Sequence, residues 1–321
     1  MTKAFETTIE ELTEIAAVSR VADYTGEDKS TIWRLDFRRL LRLKSHYKIP
    51  PVTHISVDEV YARKKQREGE NRNDRFVTVI TDMKSRRIIW ISDSRRKSAL
   101  DEFYQALGTE RCKLIQVVAQ DQHEDYAAST RQYCSNAKII FDKFHVVKSF
   151  NEAMNEARKF ILKAFDLTKN EKKSLMGKFK YVLAKRAAKR NEWERQSLAE
   201  AADANKLIIQ LEMIKESVLA LFDHESVDIA EKHFDQLGNW IRELGFPSLK
   251  QWYSHLERRW ECIAAYFESP TTSALSEGVN NVIKTIKRRA YGYKNMEYFK
   301  LKIMQICGHL TTSRMQQLGY L

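Results

Sequence analysis

The chain has 321 residues, of which 43% are apolar, so it can bury a substantial core and form one large domain with additional segments. It has no apolar stretch near the roughly 18 uncharged residues of a membrane span, no N-terminal pattern of a secretory signal, and no cysteine spacing typical of disulfide frameworks or zinc knuckles. Its net charge of +12 favours a polyanionic partner such as nucleic acid, and we expect a folded cytoplasmic protein.

Residues 1–50 are predicted to be helical and to carry a DNA-binding element. A short helix from about Ala17 to Tyr24, a turn containing Gly26 and a second helix from Ser30 resemble a helix-turn-helix. A helical hairpin with a solvated basic face is the alternative interpretation. The basic residues of the second helix that we assign to DNA binding are Arg34, Arg38 and Arg39.

From His54 the pattern changes to short β-branched runs separated by turns. The runs that predict strands are HISVDEVYA, RFVTVITDM, RIIWISDS, KLIQVVAQD and AKIIFDKF. Helices are predicted at Ser98–Leu107 and Tyr126–Tyr133, which gives the order βββαβαβ. This order predicts an α/β fold with a mixed five-stranded sheet, as in the ribonuclease-H-like nucleotidyltransferase core.

Residues from about Val146 to Ser269 are predicted to be wholly helical, with tryptophans in their core. Within them, residues 158–190 contain twelve Lys or Arg and two acidic residues, which indicates either a phosphate-facing surface or a solvated helical face. The predicted segments are a helix-turn-helix-like DNA-binding segment (1–50), the first part of the ribonuclease-H-like core (51–148), a helical insertion (149–269) and the C-terminal helices of the core (270–321).

Asp58 lies inside the apolar run Ile55–Val60, where strand geometry and the cost of desolvation both disfavour a carboxylate. A bound metal ion would compensate for both effects. The alternative is an ion pair with a neighbouring Lys or Arg at the end of the strand.

Asp121 closes the fourth predicted strand and would emerge near Asp58 if these two strands are neighbours. The two carboxylates could then share a divalent ion. Asp142, which ends the fifth strand, is the competing candidate, and spacing alone leaves both open. We favour Asp121 because the fifth strand starts farther from the first in this topology, so that Asp142 better fits a supporting or structural role.

Glu277 opens a helix with two distinct faces. The residues that predict a buried stripe at helical spacing are Leu275, Val279, Val282, Ile283, Ile286 and Ala290. The residues on the opposite face are Glu277, Asn281, Lys284 and Arg288. A carboxylate followed by an amide and two cations suits a metal-bound phosphate and its flanking backbone, whereas the alternative is an amphipathic surface helix.

Three separated blocks, in the same order, resemble the conserved blocks of DDE transposases of the ISL-three insertion-sequence family. These blocks are HISVDEV (54–60), AKIIFDKFHVVK (137–148) and SEGVNNVIKTIKRRAYG (276–292). The resemblance implies a catalytic triad of Asp58, Asp121 and Glu277, with Asp142 and His145 as an accessory pair. Longer family members begin with a cysteine-rich zinc ribbon, and here no cysteine precedes Cys112.

We therefore expect a transposase that cleaves and transfers DNA strands in a metal-dependent reaction. The triad is expected to hold two Mg²⁺ or Mn²⁺ ions. The residues expected to bind backbone phosphates are Lys284, Lys287, Arg288 and Arg289, beside Asn281. The expected partners are double-stranded DNA, at the transposon ends and at the target, and a second copy of the chain bound to the same DNA. The expected location is the bacterial cytoplasm, in association with the nucleoid. The alternatives are a non-catalytic DNA-binding regulator and a ribonuclease-H-like nuclease that never joins strands.

Overall fold

The computed structural model describes residues 1–64, 68–268 and 274–321, the last range with side chains from Glu277 onward. The chain divides into two compact units. The first comprises residues 1–137 together with 274–321, and the second comprises residues 138–273. The second unit thus begins at Lys138, whereas the sequence placed the start of the helical insertion at residue 149.

Three helices open the first unit: α1 (Lys3–Ile15), α2 (Val18–Thr25) and α3 (Lys29–His46). Gly26 ends α2 with φ of +73°, a left-handed conformation that glycine adopts without strain. Asp28 begins α3, because its side chain accepts a hydrogen bond from the Ser30 N–H at 2.8 Å. Both helices predicted around Gly26 are therefore present. The small core between the three helices consists of Ile9, Val21, Ala22, Ile32 and Leu35.

The predicted mixed five-stranded sheet is confirmed, with the strand order β3-β2-β1-β4-β5. Pairing is antiparallel between β1 and β2 and between β2 and β3, whereas β1 and β4 are parallel. The bounds are β1 (His54–Tyr61), β2 (Phe76–Asp82), β3 (Arg87–Asp93), β4 (Val117–Gln120) and β5 (Lys138–Phe141). The helices between the later strands are α4 (Lys97–Leu107), α5 (Thr109–Cys112) and α6 (Glu124–Tyr133), so the order βββαβαβ is also confirmed.

Strand β4 is shorter than the predicted run Lys113–Asp121. Its pairing with β1 begins at Val117. Leu114 is 61% exposed in the connection after α5, whereas Ile115 is buried among the residues that pack with α4 to α6. The apolar residues Leu114 and Ile115 belong to the connection before β4, and their sequence pattern does not distinguish them from the strand.

Side chains alternate between the two faces of the sheet in the first unit. On one face, Ile55 and Val57 of β1 pack with α4, α5 and α6. On the other face, Val60 packs with Ile283 and Phe299 of the C-terminal helices. Odd-numbered side chains of β1 thus face α4 to α6, and even-numbered ones face the C-terminal helices. Those helices are α15 (Ala274–Arg289), α16 (Met296–Cys307) and α17 (Thr312–Gln317).

A buried ionic network connects α3 with α16. Asp36 of α3 accepts hydrogen bonds from the Tyr298 hydroxyl at 2.6 Å, from Lys302 Nζ at 3.0 Å and from Arg39 at 2.8 Å. Burial works to raise the pKa of Asp36, but Lys302 and Arg39 together lower it below the ordinary value, so the carboxylate is ionised. The N-terminal helices are therefore packed into the same unit as the sheet.

The second unit is helical after β5, as predicted. Trp252 is buried and donates a hydrogen bond from Nε1 to Ser149 at 3.1 Å, which fits the predicted core role of the tryptophans. Trp193 is 59% exposed and does not fit it. The helices are α7 (Lys143–Ala164), α8 (Lys169–Ser174), α9 (Phe179–Ala184), α10 (Glu192–Ala204), α11 (Leu207–Leu221), α12 (Val227–Leu244), α13 (Pro247–Glu257) and α14 (Trp260–Glu268).

Helix length and composition also bear on membranes. None of the helices in the described ranges combines the length and the apolar character that a bilayer crossing requires.

Candidate active site

Asp58 lies in β1, opposite Val79 of β2, on the sheet face that the C-terminal helices cover. One oxygen, Oδ1, accepts a hydrogen bond from the Glu59 N–H at 2.7 Å. The other, Oδ2, accepts a hydrogen bond from Nδ2 of Asn280 in α15 at 2.6 Å. These bonds offset part of the cost of placing a carboxylate in a strand. They also fix how the carboxylate is oriented.

Asp121 directly follows β4, one residue beyond the end of the ladder that pairs β4 with β1. Val57 pairs with Gln120 in the parallel ladder, so one further step brings Asp121 level with Asp58. Gln120 accepts a hydrogen bond from Thr130 of α6, on the opposite face of the sheet. From the alternation of side chains we expect Asp121 to lie on the same face as Asp58, with the two strands about 4.8 Å apart. Asp121 Oδ1 accepts a hydrogen bond from the Gln122 N–H at 2.6 Å.

Glu277 is exposed in the first turn of α15. It precedes Asn280 by three residues, so the two side chains share one side of the helix with about 4.5 Å of rise between them. Glu277 is therefore one helical turn from the residue that holds Asp58. Helix α15 is fixed by Ile283 and Ile286, which are both buried against the sheet.

The buried stripe of α15 is narrower than predicted. Ile283 and Ile286 are buried and Val279 is half-buried, as expected. Val282, in contrast, is 41% exposed, and Ala290 is exposed at the end of the helix. The prediction that Val282 and Ala290 are buried was therefore wrong. Helical spacing alone does not distinguish an exposed apolar residue from a buried one. Leu275 lies outside the residues whose side chains are described.

A divalent cation fits the chemistry of this site. Asp58, Asp121 and Glu277 offer only oxygen ligands, which Mg²⁺ and Mn²⁺ prefer. Next to Asp58, the Oδ1 atom of Asn280 is buried and has no hydrogen-bond partner. A buried amide oxygen left unsatisfied is destabilising, and a cation or its bound water would satisfy it. As the chain stands, no group of three or more His, Cys, Asp or Glu side chains among the described residues is gathered tightly enough to hold one ion.

On the opposite face of β1, Glu59 forms a half-buried ion pair that the sequence did not reveal. Its Oε1 accepts a hydrogen bond from Arg95 at 3.0 Å, and Arg95 stacks on the Phe76 ring at 4.3 Å from the centroid. Burial raises the pKa of Glu59, and the neighbouring Asp121 carboxylate works in the same direction.

Asp142 and His145 belong to the second unit. Asp142 is the N-cap of α7, and its Oδ1 accepts a hydrogen bond from the Phe144 N–H at 2.9 Å. This bond gives Asp142 a structural role at the start of the helix. His145 lies in the first turn of the same helix. Their accessory catalytic role remains a prediction.

The three arginines assigned to DNA binding in α3 lie in different environments. Arg34 is exposed, and Arg38, 59% exposed, pairs with Glu6 at 2.8 Å. Arg39 is only 2% exposed and pairs with Asp36. We expected Arg39 to contact DNA, but its side chain lies inside the packed unit and is not accessible to DNA. Arg39 is a structural residue.

The basic end of α15 is largely open to solvent. The exposed residues of the predicted DNA-binding set are Asn281, Lys284, Arg288 and Arg289. Lys287 is half-buried, and its Nζ donates a hydrogen bond to the Tyr61 carbonyl at 3.1 Å while lying 5.0 Å above the Tyr61 ring. Burial lowers the pKa of Lys287.

Comparisons with known proteins agree with the blocks found in the sequence. A family model described as Transposase, of the DDE class and ISL-three type, matches residues 55–303, which include Asp58, Asp121 and Glu277. The chain is 24% identical over 295 residues to the transposase for insertion sequence element IS1001 of Bordetella parapertussis, covering 91% of this chain and 70% of that protein. It is 23% identical over 322 residues to the transposase for insertion sequence element IS1557 of Mycobacterium tuberculosis, covering 94% of this chain and 69% of that protein.

Proposed function

Since this chain belongs to the DDE transposases of the ISL-three insertion-sequence family, we propose that it cuts DNA at the ends of such an element and joins those ends to a target. In the first reaction water attacks a phosphodiester at the element's end and releases a 3′-hydroxyl. In the second reaction that hydroxyl attacks a phosphodiester of the target strand. Two ends must be held together for this, so we also propose a homodimer on DNA.

The hydrogen bond between Asn280 and Asp58 supports this proposal most directly. It joins the strand that carries the first carboxylate to the helix that carries the third, although 222 positions separate the two residues. The parallel register of β1 and β4 ends at Val57 and Gln120, one residue before Asp58 and Asp121, and supports the assignment of Asp121 as the second carboxylate. The proposal therefore assigns one site to acidic residues from three distant parts of the chain.

We assign the holding of Mg²⁺ or Mn²⁺ to Asp58, Asp121 and Glu277. Two such ions, when bound, activate the attacking oxygen and stabilise the leaving one. Asn280 keeps the Asp58 carboxylate in position through its amide N–H group. Because water and then a DNA 3′-hydroxyl are the nucleophiles, neither step needs a covalent bond between protein and DNA, and the same side chains can serve cleavage and joining in succession.

The cations of α15 are assigned to the DNA backbone. Lys284, Arg288 and Arg289 are exposed on the helix that begins with Glu277. Contacts of this kind fix the position of a duplex without reading its sequence. Arg34 and Arg38 of α3 are exposed and are assigned to DNA as well.

The proposal is tested by incubating the purified chain with Mg²⁺, a labelled duplex that carries the element's own ends, and a target plasmid. We expect nicked ends and joined products, both of which disappear with EDTA. Nicking without joining would indicate a nuclease, and duplex binding without nicking would indicate a DNA-binding regulator. Either of these results would overturn the proposal.

A further inference from the structure

The basic run 158–190 in the second unit contains two kinds of cationic residue. Five of its twelve Lys and Arg residues have partners within the fold. Arg190 pairs with Glu212 at 2.6 Å, and Arg158 donates to the Leu175 carbonyl. The other three, with their acidic partners, are Lys159 with Glu156, Lys185 with Glu194, and Arg186 with Asp223. These five cations therefore have a structural role within the unit.

The other seven are exposed lysines, and none of them forms an ion pair with any described residue. They are Lys163, Lys169, Lys172, Lys173, Lys178, Lys180 and Lys189. The acidic Glu171 forms no ion pair with them, since its carboxylate accepts the hydrogen bonds of a capping box with Thr168, and its single charge offsets only one of the seven. Like charges concentrated in one stretch of 27 residues, 163–189, repel one another, and the repulsion is relieved when a polyanion binds.

Three of these lysines surround a common hollow. Lys169, Lys172 and Lys173 line a shallow cavity of about 470 Å³ together with Met176 and Gly177. Close by along the chain, Lys180 Nζ lies 4.8 Å above the ring of Tyr181, which is 66% exposed. The hollow is thus lined by cations without acidic partners, and phosphate groups are the ligands that lysine binds as a point charge.

We propose that the hollow lined by Lys169, Lys172 and Lys173 is a second DNA-binding surface that holds backbone phosphates. This inference rests on the proposed function in one respect, namely that the partner is DNA. Lysine contacts to backbone phosphates depend on charge and not on sequence, so the surface fits any duplex, as a transposition target requires. The phosphates nearest the hollow are expected to lie between Lys169, Lys172 and Lys173.

The test compares two triple variants of the full chain by fluorescence anisotropy with a duplex of random sequence, in EDTA, over a range of salt concentrations. The first is Lys169→Gln/Lys172→Gln/Lys173→Gln. The matched control is Lys206→Gln/Lys232→Gln/Lys250→Gln, which removes three exposed, unpaired lysines elsewhere in the same unit. Thermal melting confirms that both variants fold.

We expect the slope of log Kobs against log salt to decrease in magnitude by about 2 to 3 in the first variant, since each phosphate contact contributes about 0.9. The control is expected to keep the wild-type slope. Equal slopes in all three proteins would overturn the inference, and so would lysine-dependent binding to anionic vesicles without any effect on the duplex. If the wild-type protein bound the duplex through these lysines but joined no strands, that result would count against the proposed function alone.

Discussion

Asn280 donates a hydrogen bond to the Asp58 carboxylate at 2.6 Å and thereby connects α15 to β1. The other amide atom of Asn280, Oδ1, is buried without a partner. One side chain therefore restrains a carboxylate and presents an oxygen to the same site. The first prediction concerns this contact.

Replacing Asn280 with Asp places two carboxylates in hydrogen-bond contact. Their repulsion should destabilise the metal-free protein by about 1–3 kcal/mol, because a favourable bond is replaced by a pair of like charges. Added Mg²⁺ should restore much of this loss. Chemical denaturation with and without Mg²⁺ measures both effects. Asn281→Asp, the same change at an exposed position of α15, should alter stability by less than about 0.5 kcal/mol. Equal unfolding free energies for the two variants would contradict the contact.

The second prediction separates two arginines of α3. Arg39→Ala should lower the free energy of unfolding by about 3–5 kcal/mol, because it leaves the buried Asp36 carboxylate undercompensated. Arg38→Ala removes an exposed pair and should lower it by less than about 1 kcal/mol. Urea denaturation of the two variants provides the comparison. A similar loss in both would show that Arg39 is not in the core.

The third prediction concerns close packing between α12 and α13. A Cβ added at Gly238 would lie 2.2 Å from the Tyr253 ring, which is buried and stacked on Phe234. The ring cannot move aside, so Gly238→Ala should destabilise the protein by about 1–3 kcal/mol. Gly278→Ala is the control, since nothing lies within 4 Å of its added Cβ and alanine favours a helix. Thermal melting should show a lower Tm only for Gly238→Ala.

The fourth prediction concerns pH. His233 accepts or donates hydrogen bonds to Ser217 and His224, each at 2.7 Å, and burial followed by the nearness of His224 lowers its pKa. Folding thus favours the neutral ring, and unfolding takes up a proton below the ordinary pKa of about 6.5. The stabilising contribution is complete above that pH and is lost as pH falls through the lowered pKa of the folded state.

The free energy of unfolding of His233→Asn should therefore depend less on pH between about 7.5 and 5 than that of the wild type. Denaturation curves at several pH values measure this dependence. His46→Asn, which removes an exposed histidine, should retain the wild-type dependence. An unchanged slope in His233→Asn would be inconsistent with the buried hydrogen-bond chain.

Sequence patterns predicted the elements that depend on local periodicity. Short β-branched runs indicated all five strands, and Gly26 marked the turn between α2 and α3. What the patterns could not supply is the identity of distant neighbours. Asn280 and Asn281 are the same residue type side by side, and only the docking of α15 on the sheet decides which one contacts Asp58. Arg39 directly follows the exposed Arg38 in the sequence, and its burial depends on Asp36 and on α16, far along the chain.

The most direct test of the proposed active site compares DNA cleavage and joining by Asp58→Asn, Asp121→Asn and Glu277→Gln in Mg²⁺ and in Mn²⁺. Asp93→Asn serves as the control, because Asp93 is an exposed carboxylate at the end of another strand of the same sheet. We expect each of the three variants to lose about a thousandfold or more in rate, equivalent to ~4 kcal/mol in barrier height. Tm and duplex affinity should remain close to wild type, and Asp93→Asn should stay active. Wild-type cleavage rates in any one of the three would contradict a shared metal site.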